Sequence, residues 1–411
     1  MIEINNGRRI GQLSLIVICA FCVILSSPFF SSIGTETVLV TMISCVLMFY
    51  YRYKTISASS RILILLNLLF FAIIVAYKLL GISSADWVYA AGYMGWMFAT
   101  ILGCYLVNNI SYKQLKVLFG IIYLACVAYC SYIAIMGNRI MQQGSELGVE
   151  LTTAMYSTAF MLFSGSCLIL FLNIRKRSTR VLAAVGFIVA TYANFAVLQR
   201  GANAIFSLVL YILIILFNSK RSRAAYGLVF AVIMILLIVF QTGLYTDVLD
   251  FIVRIAPSER IASRINSLNI FLQTGDYIYA GTSVRTRGIL LNRTWTTFTD
   301  SFSNIMVGIG DHRSYIGPIG NHNEIVDMLA RYGIVFSMPL YFILFKQHNM
   351  YKELINGYKK NKVYHQATSV FLIYLARNII GNAFSTAVAI QMFIFLPIII
   401  ILIETQNVQL Q

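Results

Sequence analysis

Residues 62–80 have the sequence ILILLNLLFFAIIVAYKLL, in which Lys78 is the only charged side chain. A helix needs about 20 consecutive apolar residues to cross the hydrocarbon core of a bilayer, so this stretch predicts a transmembrane helix. The rest of the chain has the same character. Its 411 residues are 59% hydrophobic and 11% charged, whereas soluble domains contain roughly 25% charged residues.

Eleven further stretches resemble this one in apolar content. We therefore predict an all-α, polytopic membrane protein with about 12 transmembrane helices, forming a single domain over residues 1–411. The eleventh stretch differs from the others because it contains Arg377 and Asn378. The predicted spans are 12–30, 37–51, 62–80, 87–107, 117–136, 154–173, 181–198, 202–218, 225–243, 334–345, 367–384 and 386–403.

The distribution of basic residues predicts how these spans are oriented. If both termini are cytoplasmic, the inner segments hold 19 of the 31 lysines and arginines and only three acids, a balance of +16. This balance equals the formal net charge of the whole chain, as the positive-inside bias leads us to expect. The basic composition therefore reflects membrane topology, and no nucleic-acid partner is expected. The same orientation places one large loop, residues 244–333, in the periplasm.

The large loop contains eight arginines and no lysine. Arginine grips phosphate or carboxylate through two parallel hydrogen bonds, which lysine cannot do. Two interpretations stay open: ion pairs with the acids of the loop, or an anionic ligand held at the outer membrane surface. The arginines are Arg254, Arg260, Arg264, Arg285, Arg287, Arg293, Arg313 and Arg331.

Neither a disulfide framework nor a metal site is expected. All seven cysteines lie within apolar spans, where they are small core residues, and the outer loops contain none. The four histidines are scattered and the sequence has no Asp-x-Asp pair. We therefore expect no metal ion and no other cofactor.

Two helices are predicted in the first part of the loop. Residues 256–275 carry apolar side chains at helical spacing, and Pro257 and Ser258 near their beginning are a pair typical of a helix start. Such a helix would lie flat at the membrane interface. In the second helix, one stripe of side chains is expected to pack against the body of the protein. Its members are Arg287, Leu291, Trp295, Phe298 and Phe302.

Residues 308–333, GIGDHRSYIGPIGNHNEIVDMLARYG, end the loop. The glycines predict tight, non-helical backbone, and Asn321 or Asn323 is suited to cap the helix that follows. His322 would lie at the N-terminus of that helix, where backbone N–H groups favour an anion and disfavour an imidazolium. Two interpretations are open: a histidine that only caps the helix, or one that accepts a proton beside a phosphate.

The end of the loop resembles a motif of the O-antigen polymerase and ligase superfamily. The motif is His322-Asn323-x-x-Val326-x-x-Leu329-x-x-Tyr332-Gly333, preceded by a Gly-x-Gly and followed by a membrane span. Members of this superfamily carry such a histidine–asparagine helix at the end of their large periplasmic loop.

A second match lies upstream, in LQRGANAIFSL. Arg200 and the two residues after it are similar to the superfamily's Ser-Arg-Gly-Ala motif, with Gln199 in place of the serine. Arg285 or Arg287 falls in the region of the family's third functional arginine. The resemblance covers the order of features over about residues 185–345.

The resemblance implies a glycosyltransferase of the bacterial inner membrane that works without a metal at the periplasmic face. A polymerase of this kind moves a growing glycan from undecaprenyl diphosphate onto the next lipid-linked repeat unit. Its expected partners are therefore the undecaprenyl-diphosphate-linked donor and acceptor glycans, membrane lipid and a chain-length regulator protein.

The same resemblance implies roles for individual residues. The diphosphate leaving group develops negative charge, which arginines can neutralise. His322 is the candidate base or acceptor-orienting group, with Glu324 and Asp327 as alternatives. The diphosphate-binding candidates are Arg200 and Arg285 or Arg287, and the further candidates are Arg377 and Asn323.

Two other functions match part of this pattern. A ligase of the same superfamily shares these motifs but transfers a finished glycan to lipid A core or to protein. We favour a polymerase because Gln199 and the Asn-His-Asn-Glu run are nearer to polymerases. A lipid-linked oligosaccharide flippase or transporter would show paired repeats and charges at mid-membrane depth, whereas Arg377 is the one charge clearly within a predicted span.

Overall fold

A computed structural model describes most of the chain. Over the described residues the protein is all-helical, with 91% of residues in helices and no strand. The described residues are 11–25, 56–83, 87–142, 146–171, 177–194, 242–255, 259–276, 282–310, 317–320, 324–354, 362–379 and 389–408, with the single positions 209, 212 and 234.

The helices that precede the large loop follow the apolar stretches of the sequence. Long runs of leucine, isoleucine, valine and phenylalanine leave no polar face, so these helices are apolar on all sides, as membrane or core helices are. They are α1 (Gln12–Leu25), α2 (Ala58–Leu79), α3 (Trp87–Asn109), α4 (Tyr112–Gln142), α5 (Glu146–Phe171) and α6 (Arg177–Tyr192).

The loop and the C-terminal part add a second group of helices. Most of the loop helices are short and amphipathic, whereas the later helices are long and apolar. They are α7 (Leu244–Ile255), α8 (Glu259–Thr274), α9 (Thr282–Thr299), α10 (Phe302–Val307), α11 (Glu324–Leu354), α12 (Lys362–Ile379), a π-helical turn (Gln391–Phe395) and α13 (Leu396–Val408).

Within the part of the chain that the structure describes, three helical segments are long and apolar enough to cross a membrane: Ala58–Leu79, Tyr112–Met136 and Ile325–Leu354. They confirm apolar helices at three of the predicted spans, 62–80, 117–136 and 334–345. Shorter apolar helices cover Thr158–Leu170 and Gln391–Thr405, within two more predicted stretches. The predicted spans 37–51, 202–218 and 225–243 lie almost entirely outside the described residues.

The core of the bundle forms around α3, where small residues permit close contact between helices. A Cβ added at Gly103 would lie 2.0 Å from the carbonyl oxygen of Phe393 in the π-helical turn. Gly186 of α6 similarly receives the ring of Tyr123 from α4. Such close approaches at small residues are typical of helix packing in membranes. The six described cysteines are buried, which agrees with their predicted role as small core residues.

Hydrogen bonds between helices identify the two ends of the bundle. At one end, the Ser57 amide donates to Asn108 Oδ1 (3.1 Å) and the Ser59 hydroxyl donates to Glu353 (2.5 Å). The start of α2 therefore lies on the same side as the ends of α3 and α11, and we call this side the far end. The Tyr77 hydroxyl donates to the Val307 carbonyl oxygen (2.6 Å), so the end of α2 and α10 share the opposite side, the loop end.

The first two loop helices form a hairpin. Asn269 Nδ2 of α8 donates to Asp250 Oδ1 of α7 (2.9 Å), and the Tyr245 hydroxyl donates to the Leu272 carbonyl oxygen (3.3 Å). Helix α8 confirms the predicted helix, since it begins directly after Pro257 and Ser258. Helix α7 was not predicted, because residues 244–255 were assigned to the loop.

The buried face of α9 differs from the predicted one. Arg287, Leu291, Trp295 and Phe302 are all exposed, and of the predicted stripe only Phe298 is buried. The stripe was therefore wrong. The buried positions are Leu290, Thr294 and Phe298, spaced four apart, and the central one is polar. Thr294 faces inward because its hydroxyl has buried hydrogen-bond partners, a preference that a count of apolar residues misses.

Candidate functional site

Helix α9 holds the end of the loop together through Thr294. Its hydroxyl donates to Asp327 Oδ1 of α11 (2.6 Å) and accepts a hydrogen bond from the Gly320 amide (2.9 Å). Thr294 is 0% exposed and Asp327 is 1% exposed. Hydrogen bonds between buried groups are costly to break, because a group that loses its partner keeps its desolvation penalty. One side chain thus fixes both segments that flank residues 321–323.

The segment before the histidine motif is further attached to α9. Arg293 Nη1 donates to the Gly317 carbonyl oxygen (3.0 Å), and the Thr297 hydroxyl donates to the Pro318 carbonyl oxygen (2.6 Å). Ile319, the next residue, is fully buried in a small core with Phe298 and Ala330. Residues 317–320 therefore have a fixed position although they form no helix or strand.

The Gly-x-Gly that precedes the motif makes a second contact with α11, in addition to the one from Thr294 to Asp327. Gly308 and Gly310 have φ angles of 78° and 80°, a region that glycine adopts at no steric cost. This backbone lets the Gly310 amide donate to the Arg331 carbonyl oxygen (2.8 Å) and the Ile309 amide to the Ala330 carbonyl oxygen (3.0 Å). The predicted non-helical backbone at these two glycines is confirmed.

Helix α11 bends at Gly333, where φ is 63° and ψ is −177°. The bend divides a short segment that carries the motif from the long apolar segment that follows. A Cβ at Gly333 would lie 2.3 Å from the Met306 carbonyl carbon, so α10 occupies the space beside the bend. Tyr332 is buried there, with its ring 5.1 Å from Tyr77 and 5.7 Å from Phe70.

Two opposite charges are buried on the short segment of α11. Asp327 and Arg331 are four residues apart, which places them on one face of the helix, and each is 1% exposed. Buried charges are stable in proteins when they are paired and hydrogen-bonded. The Asp327 carboxylate accepts a hydrogen bond from Thr294 and is buried, so it helps to hold α11 against α9. Its role as an alternative base stays a prediction.

The remaining candidate residues are placed as follows. Arg285 and Arg287 are both exposed on α9. The helix begins at Thr282, before both of them, so their side chains point about 200° apart at 3.6 residues per turn. Glu324 belongs to α11 and Arg377 to α12, and the structure does not describe either side chain. Arg200, His322 and Asn323 lie outside the described residues.

Sequence reasoning missed the residues that hold the site together. The sequence identifies Arg331 only as one of eight loop arginines, whereas its carbonyl oxygen accepts the hydrogen bond from the Gly310 amide. Thr294 has no distinctive signal in the sequence, because it is one of several threonines in the run Thr294-Trp295-Thr296-Thr297. Within the described ranges, no group of three or more His, Cys, Asp or Glu side chains is arranged to hold a metal ion.

Neither known protein-family models nor curated proteins provide a match to this chain.

Proposed function

We propose that this chain is an O-antigen or surface-polysaccharide polymerase of the O-antigen polymerase and ligase superfamily. It has about 12 transmembrane helices, cytoplasmic termini and a periplasmic loop over residues 244–333, in the bacterial inner membrane. It transfers the growing glycan from undecaprenyl diphosphate to the next lipid-linked repeat unit. The support is the histidine–asparagine motif at the end of an arginine-rich loop, in a chain with helices long enough to cross a membrane.

One observation carries the proposal: the two segments that flank residues 321–323 are joined through Thr294. His322 follows Gly320 by two residues and precedes Glu324 by two. A catalytic group must be held close to its productive geometry by the residues around it. A loop that served only to connect two spans would not need a buried hydrogen-bond network at this point.

In the proposed reaction, the acceptor hydroxyl attacks the anomeric carbon of the donor glycan. A new C–O bond forms, and the C–O bond to the diphosphate breaks, so undecaprenyl diphosphate leaves with the bonding electrons. His322 takes the proton of the attacking hydroxyl. Arg200 and one of Arg285 and Arg287 neutralise the charge that develops on the diphosphate. Asp327 and Thr294 hold the helix start in position.

The substitution His322→Asn tests the proposal. Asparagine is among the best helix-capping residues, so the variant keeps a capping side chain and loses the base. General-base catalysis contributes about 10²- to 10⁴-fold to the rate. We expect cells with this variant to accumulate single repeat units instead of long chains, with normal amounts of membrane-inserted protein.

The matched control is His312→Asn, the same substitution in the same loop but outside the motif, for which we expect wild-type chain length. Wild-type chain length in His322→Asn would show that the histidine only caps the helix. Full-length glycan that stays on its lipid carrier and is not transferred to lipid A would instead identify a ligase.

A further inference from the structure

A cavity of about 180 Å³ opens between α4, α6 and α13. Its described lining residues include none of the proposed reaction residues. Its walls are mostly apolar, with a lysine, tyrosines and a threonine as the polar members. The lining residues that matter here are Lys116, Phe119 and Gly120 of α4, Thr179 and Leu182 of α6, and Leu402 of α13.

The cavity lies at the far end of the bundle. Its residues come from the first turns of α4 and α6, and α4 begins three residues after the end of α3 at Asn109. Asn108 accepts the hydrogen bond from Ser57 that defines the far end. The loop end, where Tyr77 contacts Val307, is on the opposite side. The cavity is therefore separate from the site at the end of the loop.

The cavity reaches into the part of the bundle that faces lipid. Tyr112 and Tyr123 both line it, and eleven residues of helix correspond to about 16 Å along the axis. This part of α4 belongs to the segment Tyr112–Met136, which is long and apolar enough to cross a membrane. Neighbouring side chains on α4 and α6, including Val117 and Val181, are apolar and more than half exposed.

The mouth of the cavity is basic. The starts of α4 and α6 and the ends of α5 and α13 surround the mouth. The described residues there include one acid, Glu404, and four exposed bases, Lys113, Lys116, Arg177 and Arg180. Lys116 and Thr179 line the cavity itself. A lysine attracts an anionic lipid headgroup, and a hydroxyl donates a hydrogen bond to a phosphate oxygen.

We propose that this cavity binds one diacyl phospholipid with an anionic headgroup. The headgroup phosphate contacts Lys116 and Thr179 at the far end, which the positive-inside bias assigns to the cytoplasmic leaflet. One acyl chain follows α4 inward against Phe119, Gly120 and Leu182. This lipid is distinct from the polyprenyl carrier of the proposed reaction, and its binding does not depend on that reaction.

Gly120 offers a direct test, because a Cβ added there meets no heavy atom within 4 Å. The variant Gly120→Leu therefore adds bulk at the cavity wall from a Cβ that meets no neighbour. We would titrate the purified full chain with dioleoyl phosphatidylglycerol and measure bound lipid by native mass spectrometry. We expect Gly120→Leu to weaken this binding by about tenfold or more, and Lys116→Gln to weaken it by about fivefold. Leu182→Trp is a second variant that blocks the same space.

The control uses an exposed residue of α4 that does not line the cavity. Leu124→Phe adds bulk to the lipid-facing side, and it should bind the lipid as the wild type does. Unchanged binding in Gly120→Leu and Leu182→Trp would overturn the proposal. Equal binding of dioleoyl phosphatidylcholine would contradict the anionic preference. Displacement by glycerol 1-phosphate at the same concentration would assign the cavity to a soluble phosphate.

Discussion

At the scale of single residues, the hydroxyl of Thr294 connects three parts of the chain. The hydroxyl belongs to α9. It accepts a hydrogen bond from the Gly320 amide and donates one to Asp327 of α11. Each of these groups is buried, so none of them has water as an alternative partner. The position of the histidine motif therefore depends on a residue that is 28 positions before His322 in the sequence.

The substitution Thr294→Val tests this dependence. Valine has nearly the same shape but no hydroxyl, so the Gly320 amide and Asp327 both lose a partner. A buried group left unsatisfied costs about 1–3 kcal/mol. We expect a free energy of unfolding lower by about 2 kcal/mol or more, measured by thermal unfolding in detergent, together with shortened glycan chains in cells.

Two comparisons show whether the hydroxyl is responsible. Thr294→Ser keeps the hydroxyl and should restore chain length in large part. Thr296→Val makes the same change at an exposed position of α9 and should be neutral. If Thr294→Val matched Thr296→Val in both measurements, the hydrogen bonds of Thr294 would have no part in positioning the motif.

At the scale of helices, the bend at Gly333 separates the motif-bearing part of α11 from its membrane-spanning part. Its φ and ψ values lie in a region that is essentially restricted to glycine. We expect Gly333→Ala to cost about 3 kcal/mol or more, from backbone strain and from the overlap with Met306 of α10. The midpoint of thermal unfolding in detergent measures this cost.

The matched variant is Gly81→Ala. Gly81 also has a positive φ, of 71°, but a Cβ added there meets nothing within 4 Å. Only the backbone strain of about 1 kcal/mol is expected at this position. Equal losses in the two variants would mean that the contact between α10 and the bend contributes nothing.

The α7–α8 hairpin exposes a stripe of apolar side chains at helical spacing: Val248, Phe251, Ile252 and Ile255. An amphipathic helix with such a face lies in the interface between headgroups and acyl chains. We expect a spin label at Phe251→Cys to be more accessible to dissolved oxygen than to a water-soluble nickel complex. A label at Asn266→Cys, an exposed polar position on α8, should be more accessible to the nickel complex than to oxygen. If the two labels had identical accessibilities to both reagents, the hairpin would lie in water.

At the scale of the whole molecule, the charge balance of +16 predicts that the loop and the termini lie on opposite sides of the membrane. We expect a cysteine at Ser314→Cys to react with an impermeant thiol reagent when the outer membrane is permeabilised. A cysteine at Asn361→Cys should react only after the inner membrane is opened. Reversed reactivity would contradict the orientation and the proposed reaction with it.

Much of the helical architecture could be predicted from the sequence, because apolar stretches and helix-start residues act locally. The start of α8 after Ser258 and the non-helical backbone at Gly308 and Gly310 are confirmed examples. The buried face of α9 could not be predicted in this way. It is decided by Thr294 and Asp327, which are 33 residues apart and recognise each other only in the folded chain.

The contacts of Thr294 also have a consequence for the order of assembly during biosynthesis. They join residues 26 and 33 positions apart, whereas the bond between Tyr77 and Val307 spans 230 positions. The entropic cost of closing a chain segment grows with the logarithm of its length, a difference of about 2 kcal/mol here. The end of the loop is therefore expected to fold upon itself soon after it leaves the translocation machinery. It then docks as a preformed unit on α2, which was inserted long before it.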